Sequence, residues 1–102
     1  MDDTWISFSD ESKLVNNRAA GTTLQGEPVL VIRQQGSLFA LAGKCPHLGC
    51  GLDRGSLDGF LLKCPCHDWV FDIRTGEFTA AREIKLRTYQ VKIEQGKINI
   101  YV

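Results

Sequence analysis

All the cysteines and histidines of the chain lie in two short stretches, Cys45-Pro46-His47-Leu48-Gly49-Cys50 and Cys64-Pro65-Cys66-His67. Residues 48–63 separate His47 from Cys64, so the pattern reads Cys-x-His-x16-Cys-x2-His. Thiolates and imidazoles are the donors that hold zinc and iron-sulfur centres. Six of them in two loops describe a site, and the turn signals between the loops allow them to face one another.

Three chemistries use such donors. Structural zinc accepts Cys2His2, but at a different finger spacing. A disulfide-only framework would occupy four cysteines and leave both histidines idle. A [2Fe-2S] cluster needs two ligands per iron, and one iron can take two Cys while the other takes two His. Each loop offers one of each. Neutral imidazoles in place of thiolates make the cluster less negative and easier to reduce.

Cys-Pro-His-Leu-Gly-Cys followed by Cys-Pro-Cys-His resembles the two signature boxes of the Rieske iron-sulfur proteins. The resemblance covers about thirty residues directly and implies that Cys45, His47, Cys64 and His67 hold one [2Fe-2S] cluster. It implies an apolar shield from the first loop at Leu48, with Pro65 in the second. In the quinol-oxidising branch of that family the cysteines at the Cys50 and Cys66 positions form a disulfide; two buried free thiols are the alternative. In that branch a Ser and a Tyr follow the second His and donate hydrogen bonds that raise the potential. Trp69 and Phe71 stand there in this chain and offer no O–H, so a lower potential is expected. The stretch from His67 to Asp72 resembles instead the ferredoxin and oxygenase-associated branch. Residues 79–83, where much of the family has a proline-rich covering loop, contain no proline. The free ring nitrogens of His47 and His67 would couple electron and proton transfer, lowering the potential as pH rises.

The elements that must position these loops read as strands. Val91, Ile93, Ile98, Ile100 and Val102 alternate with polar residues around Gln95-Gly96, which predicts a C-terminal hairpin with one buried face. Residues 28–34 and 37–42 around Gln35-Gly36 predict a second hairpin, with 29–32 buried on both sides. Residues 5–8 and 22–24 are further strand candidates. Residues 60–63, 69–73 and 77–79 suggest three short strands, with turns at Asp58-Gly59 and Thr75-Gly76. No segment has helical periodicity. The expected fold is all-β, an antiparallel sandwich or barrel with a small inserted cluster-binding subdomain at residues 44–73 of a single domain, 1–102.

Composition limits the function. Twelve basic and twelve acidic residues leave no net charge and no basic arm for nucleic acid. The longest apolar runs fall far short of the roughly 20 residues that span a bilayer. The N-terminus has acidic residues where a secretory signal has basic ones, so a cytoplasmic location is expected. A mononuclear iron site for oxygenase chemistry needs two further histidines and a carboxylate, and both histidines are already used. The sequence therefore predicts a non-catalytic one-electron carrier, a monomer relaying electrons from a reductase to a terminal oxidoreductase or oxygenase. The alternatives are a small subunit of a nitrite reductase-like enzyme, or the soluble head of a quinol oxidoreductase. Asp68, Lys44, Arg54 and Lys63 flank the loops and read as surface charges, contact of the three cations with an acidic partner being the sharper alternative.

Overall fold

Val29, Leu30, Val31 and Ile32 are all at most 1% exposed, and they alternate between two hydrophobic cores. Val29 and Val31 face one core and Leu30 and Ile32 the other, so their strand is the wall shared by both. A strand packed on both faces needs an unbroken apolar run. The structure is a computed structural model that describes residues 5–10, 14, 16–45, 50–66 and 69–101.

Among the described residues, ten strands form three antiparallel sheets. In chain order they are β1 (Trp5–Asp10), β2 (Arg18–Leu24), β3 (Glu27–Gln34), β4 (Ser37–Ala42), β5 (Ser56–Asp58), β6 (Leu61–Lys63), β7 (Val70–Asp72), β8 (Thr88–Tyr89), β9 (Val91–Glu94) and β10 (Lys97–Tyr101). The sheet orders are β1-β10-β9, β2-β3-β4-β8 and β5-β6-β7. The fold is thus all-β, with β5–β7 inserted between β4 and the strand β8 that returns to pair with it.

One core lies between the first two sheets. Ile98 and Ile100 of β10 meet Val29, Val31 and Ala40, with Leu14 and Leu24 at the margin. The second core lies on the other face of β3–β4, where Leu30, Ile32 and Leu41 pack against Leu52, Leu62, Phe71, Ile73 and Leu86. Cys45 and Cys64 are members of this second core.

Both hairpins form at the expected turns. Gln35-Gly36 and Gln95-Gly96 adopt φ values of 52° and 80°, and 55° and 74°. Two successive positive φ values match the twist of a two-residue hairpin, and glycine takes the second without strain. The C-terminal hairpin departs from expectation at Ile93, which is 42% exposed. It pairs with buried Ile98, but β9 is the edge strand and the core ends beneath β10. Val102 lies outside the described residues.

The inserted meander also differs. Its third strand is β5, which precedes β6, and not residues 77–79. Those residues make only the single bridges Phe71↔Phe78 and Glu77↔Lys85. β5 carries one inward apolar residue, Leu57, between Ser56 and Asp58, too little pattern to distinguish it from a loop.

Candidate metal centre

The first loop leaves β4 through Gly43 and Lys44. The Leu52 N–H donates to the Gly43 carbonyl at 2.8 Å, and Lys44 bridges to Gly51. Inside this frame the Cys45 N–H donates to the Cys50 carbonyl at 2.8 Å. The second loop runs between β6 and β7, and there the Cys64 N–H donates to the Trp69 carbonyl, also at 2.8 Å. Each loop is therefore closed by the same device, a cysteine N–H bound to the carbonyl five residues on.

Cys45 and Cys64 are 1% and 2% exposed, and neither is in a disulfide. Cys50 and Cys66 are joined by a disulfide with Cα atoms 6.4 Å apart, which ties the two loops together. Cys66 and Pro65 are exposed while Cys50 is half-buried. The sulfur chemistry is thus divided: one covalent pair outside, and two buried thiols on equivalent loops inside. His47, His67 and Leu48 lie outside the described residues.

Close packing holds the loops to the rest of the fold. A Cβ on Gly55 would lie 2.5 Å from the Lys63 carbonyl, so only glycine lets the first loop approach β6 this closely. The Trp69 and Phe78 rings stack 4.1 Å apart, and Phe71 meets both at 6.3 and 5.7 Å. Gln34, 7% exposed, donates through one amide nitrogen to the Asn17 side chain and to the Gly59 carbonyl, strapping β3 to the turn of the inserted sheet. Phe60 of the same turn meets Phe39 edge-on at 5.8 Å. Sequence reasoning assigned no role to Gly55, Phe78 or Gln34. A glycine next to Arg54 was the one available signal.

Behind the second loop, Arg74 forks onto Asp72, with Nε and Nη2 each 3.0 Å from a carboxylate oxygen. These bonds from Arg74 hold the Asp72 carboxyl below the usual range, against a burial that pushes the other way. Residues 79–83 form a tight loop in which Ala81 N–H donates to Phe78, and Ile84 N–H to Ala81. Arg82 pairs with Glu77 at 2.6 Å beside it. Backbone bonds and this ion pair shape the stretch where no proline is present.

The scaffold is an antiparallel β protein that presents two loops, joined by a disulfide and each carrying a buried cysteine outside that bond, donors of the kind that iron-sulfur centres use. The Rieske [2Fe-2S] domain family matches residues 4–90, and the chain belongs to that family. The ferredoxin component of the naphthalene 1,2-dioxygenase system of Pseudomonas putida is 29% identical over 97 residues, covering 94% of this chain and 93% of that protein. Apoptosis-inducing factor 3 of Mus musculus is 35% identical over 88 residues, which cover 85% of this chain and 14% of that protein. Among solved structures, the ferredoxin of carbazole 1,9a-dioxygenase from Nocardioides aromaticivorans IC177 aligns with a TM-score of 0.88 at 26% identity, covering 95% of this chain and 96% of that one. The cofactor of the family is a [2Fe-2S] cluster. Such a cluster takes two Cys and two His, and the two buried, unbridged thiols have the chemistry of the Cys half of that set.

Proposed function

We propose that this chain is a one-electron carrier of the Rieske ferredoxin type, taking electrons from a reductase and passing them to a terminal oxygenase or other oxidoreductase. Cys45 and Cys64 ligate one iron and His47 and His67 the other. Residues 44–73 form the cluster-binding part of a single domain, acting as a monomer in the cytoplasm. The observation that carries the reading is the pair of buried thiols on equivalent loops, in a chain of this family whose relatives include a dioxygenase ferredoxin component spanning nearly its whole length.

When bound, the cluster supplies reversible one-electron chemistry near neutral pH. The chain's own residues supply the rest. Leu52, Leu62 and Phe71 are buried in the same apolar core as the two thiols, which are themselves at most 2% exposed. The backbone bonds at Cys45 and Cys64 close both loops, and the Cys50–Cys66 bond ties them together. Phe71 is fully buried and brings no hydroxyl, and Trp69 has its ring against Phe78. With no O–H donor at these two positions, the potential should lie below that of quinol-oxidising Rieske proteins. The chain carries electrons and catalyses no reaction alone.

The test is visible and EPR spectroscopy before and after dithionite, with iron and zinc measured on the same sample. Two irons per chain, and a reduced signal of lower average g than an all-cysteine cluster, support the reading. One zinc without iron overturns it. Cys45→Ser or His67→Ala should abolish the reduced signal; its survival would remove that residue from the ligand set.

A further inference from the structure

The chain is neutral overall, with 12 basic and 12 acidic residues, and three of the cations stand next to the paired loops. Lys44 directly precedes buried Cys45, and Lys63 directly precedes buried Cys64; both lysines are exposed. Arg54, also exposed, ends the 3-10 turn Leu52–Arg54 between them. The Lys44–Gly51 bridge and the close approach of Gly55 to Lys63 hold the three residues beside the same two loops.

Two open clefts flank this segment. One, of about 340 Å³, has Lys44 in its wall, and the other, of about 370 Å³, has Arg54 together with Pro65 and the disulfide Cys50–Cys66. Gly51 and Asp53 line both, and Asp53 is the one carboxylate in either wall. Other cations are matched locally: Arg74 with Asp72, Arg82 with Glu77, Lys92 with Glu94 and Lys97 with Asp10. No ion pair among the described residues engages Lys44 or Arg54.

We propose that Lys44 and Arg54, with Lys63 beside them, form the docking surface for a redox partner protein whose contact face is rich in Asp and Glu carboxylates. The inference rests on the carrier reading above. Exposed cations around a site steer an oppositely charged face towards it, and the effect fades as salt shortens the Debye length from about 30 Å at 0.01 M to about 3 Å at 1 M. Because the polypeptide's formal charges balance and a reduced cluster with its two thiolates would add one negative charge, attraction of an anion would report the local patch and not an overall positive charge.

The experiment uses the reduced holoprotein, freed of excess dithionite and mixed in stopped flow with hexacyanoferrate(III), a trianion, or tris(phenanthroline)cobalt(III), a trication. In each reaction one electron passes from the protein to the complex, giving hexacyanoferrate(II) or cobalt(II). Between about 0.01 M and 0.5 M salt, the rate constant for the anion should fall roughly three- to tenfold, and that for the cation should rise. The double variant Lys44→Glu/Arg54→Glu should reverse both slopes, whereas Lys92→Glu/Lys97→Glu, with the same charge change elsewhere, should leave their signs unchanged. Binding is read without electron transfer from the salt that elutes the oxidised holoprotein from a carboxylate-bearing resin, which should drop more for the first double variant than for the second. Flat slopes, or equal effects of the two double variants, overturn the docking surface and leave the carrier reading standing. A protein that accepts no electron from dithionite overturns the carrier reading, and the docking surface with it.

Discussion

The Trp69 indole lies on the Phe78 ring with centroids 4.1 Å apart and planes within 9° of parallel, while the Trp69 carbonyl accepts the Cys64 N–H at 2.8 Å. One residue therefore anchors the second loop twice, by its side chain to the segment after β7 and by its backbone to a buried thiol. Phe78 is held in turn, because its N–H donates to the Ile84 carbonyl at 2.9 Å. Trp69→Ala removes the stack and leaves a void beside Phe71. It should cost about 2–4 kcal/mol in urea denaturation, within the range for large aromatic truncations, and should speed iron loss to a chelator. Trp69→Phe should keep most of both; equal damage from the two variants would show that the stack is not the anchor.

The Cys50–Cys66 disulfide closes a segment of 16 residues in sequence separation. A loop of that size corresponds to about 3 kcal/mol of denatured-state constraint. Replacing both cysteines with serine should lower unfolding free energy by roughly 2–3 kcal/mol. The visible absorbance should still be present after purification but bleach faster at 40 °C than that of the parent.

Asp72 provides a pH-dependent contribution. Its side chain is 11% exposed, and its carboxyl is held below the ordinary 3.8 by hydrogen bonds from Arg74. A carboxyl whose folded pKa is depressed stabilises the fold above its unfolded pKa and loses that contribution as pH falls through the folded value. Asp72→Asn should therefore unfold at lower urea than the parent at pH 7 and pH 5. The gap should narrow below about pH 4, in the window beneath the unfolded value. A gap that is constant with pH would mean the pair contributes through packing alone.

Two glycines at nearly the same φ should respond differently. Gly36 (φ 80°) has open space where a Cβ would go, whereas at Gly76 (φ 82°) a Cβ would collide with the Leu86 carbonyl. That carbonyl belongs to a residue whose N–H donates to Gly76 at 2.7 Å, so it has no room to retreat. Gly36→Ala should cost about 1 kcal/mol from backbone strain alone. Gly76→Ala should cost more than about 3 kcal/mol or prevent folding. Thermal melts of the two variants provide the comparison.

Much of the scaffold was legible because its signals are local. Alternation at residues 91–101, the run at 29–32 and the Gln-Gly pairs depend only on side-chain period and on which residues accept positive φ. The two Cys/His boxes were likewise legible, since metal donors in short loops are conspicuous whatever surrounds them. The short strands were less so: β5 and β8 have three and two residues, and in such elements tertiary pairing outweighs pattern.

What the sequence by itself determined is the inventory: an all-β chain, the donor set Cys45, His47, Cys64 and His67 as the proposed ligands, and no charge bias towards nucleic acid. Tertiary structure decided how the inventory is used. The resemblance implied a Cys50–Cys66 disulfide but left two free thiols as the alternative, and the three-dimensional approach of the loops decides between them by putting Cys50 against Cys66, with Cys45 and Cys64 buried outside that bond. Similarly, Ile93 and Ile98 are equivalent in period, yet one lies at a sheet edge and the other under it. Bonding and burial at these positions depend on what lies across a gap from residues distant in the chain. No local pattern encodes that distance.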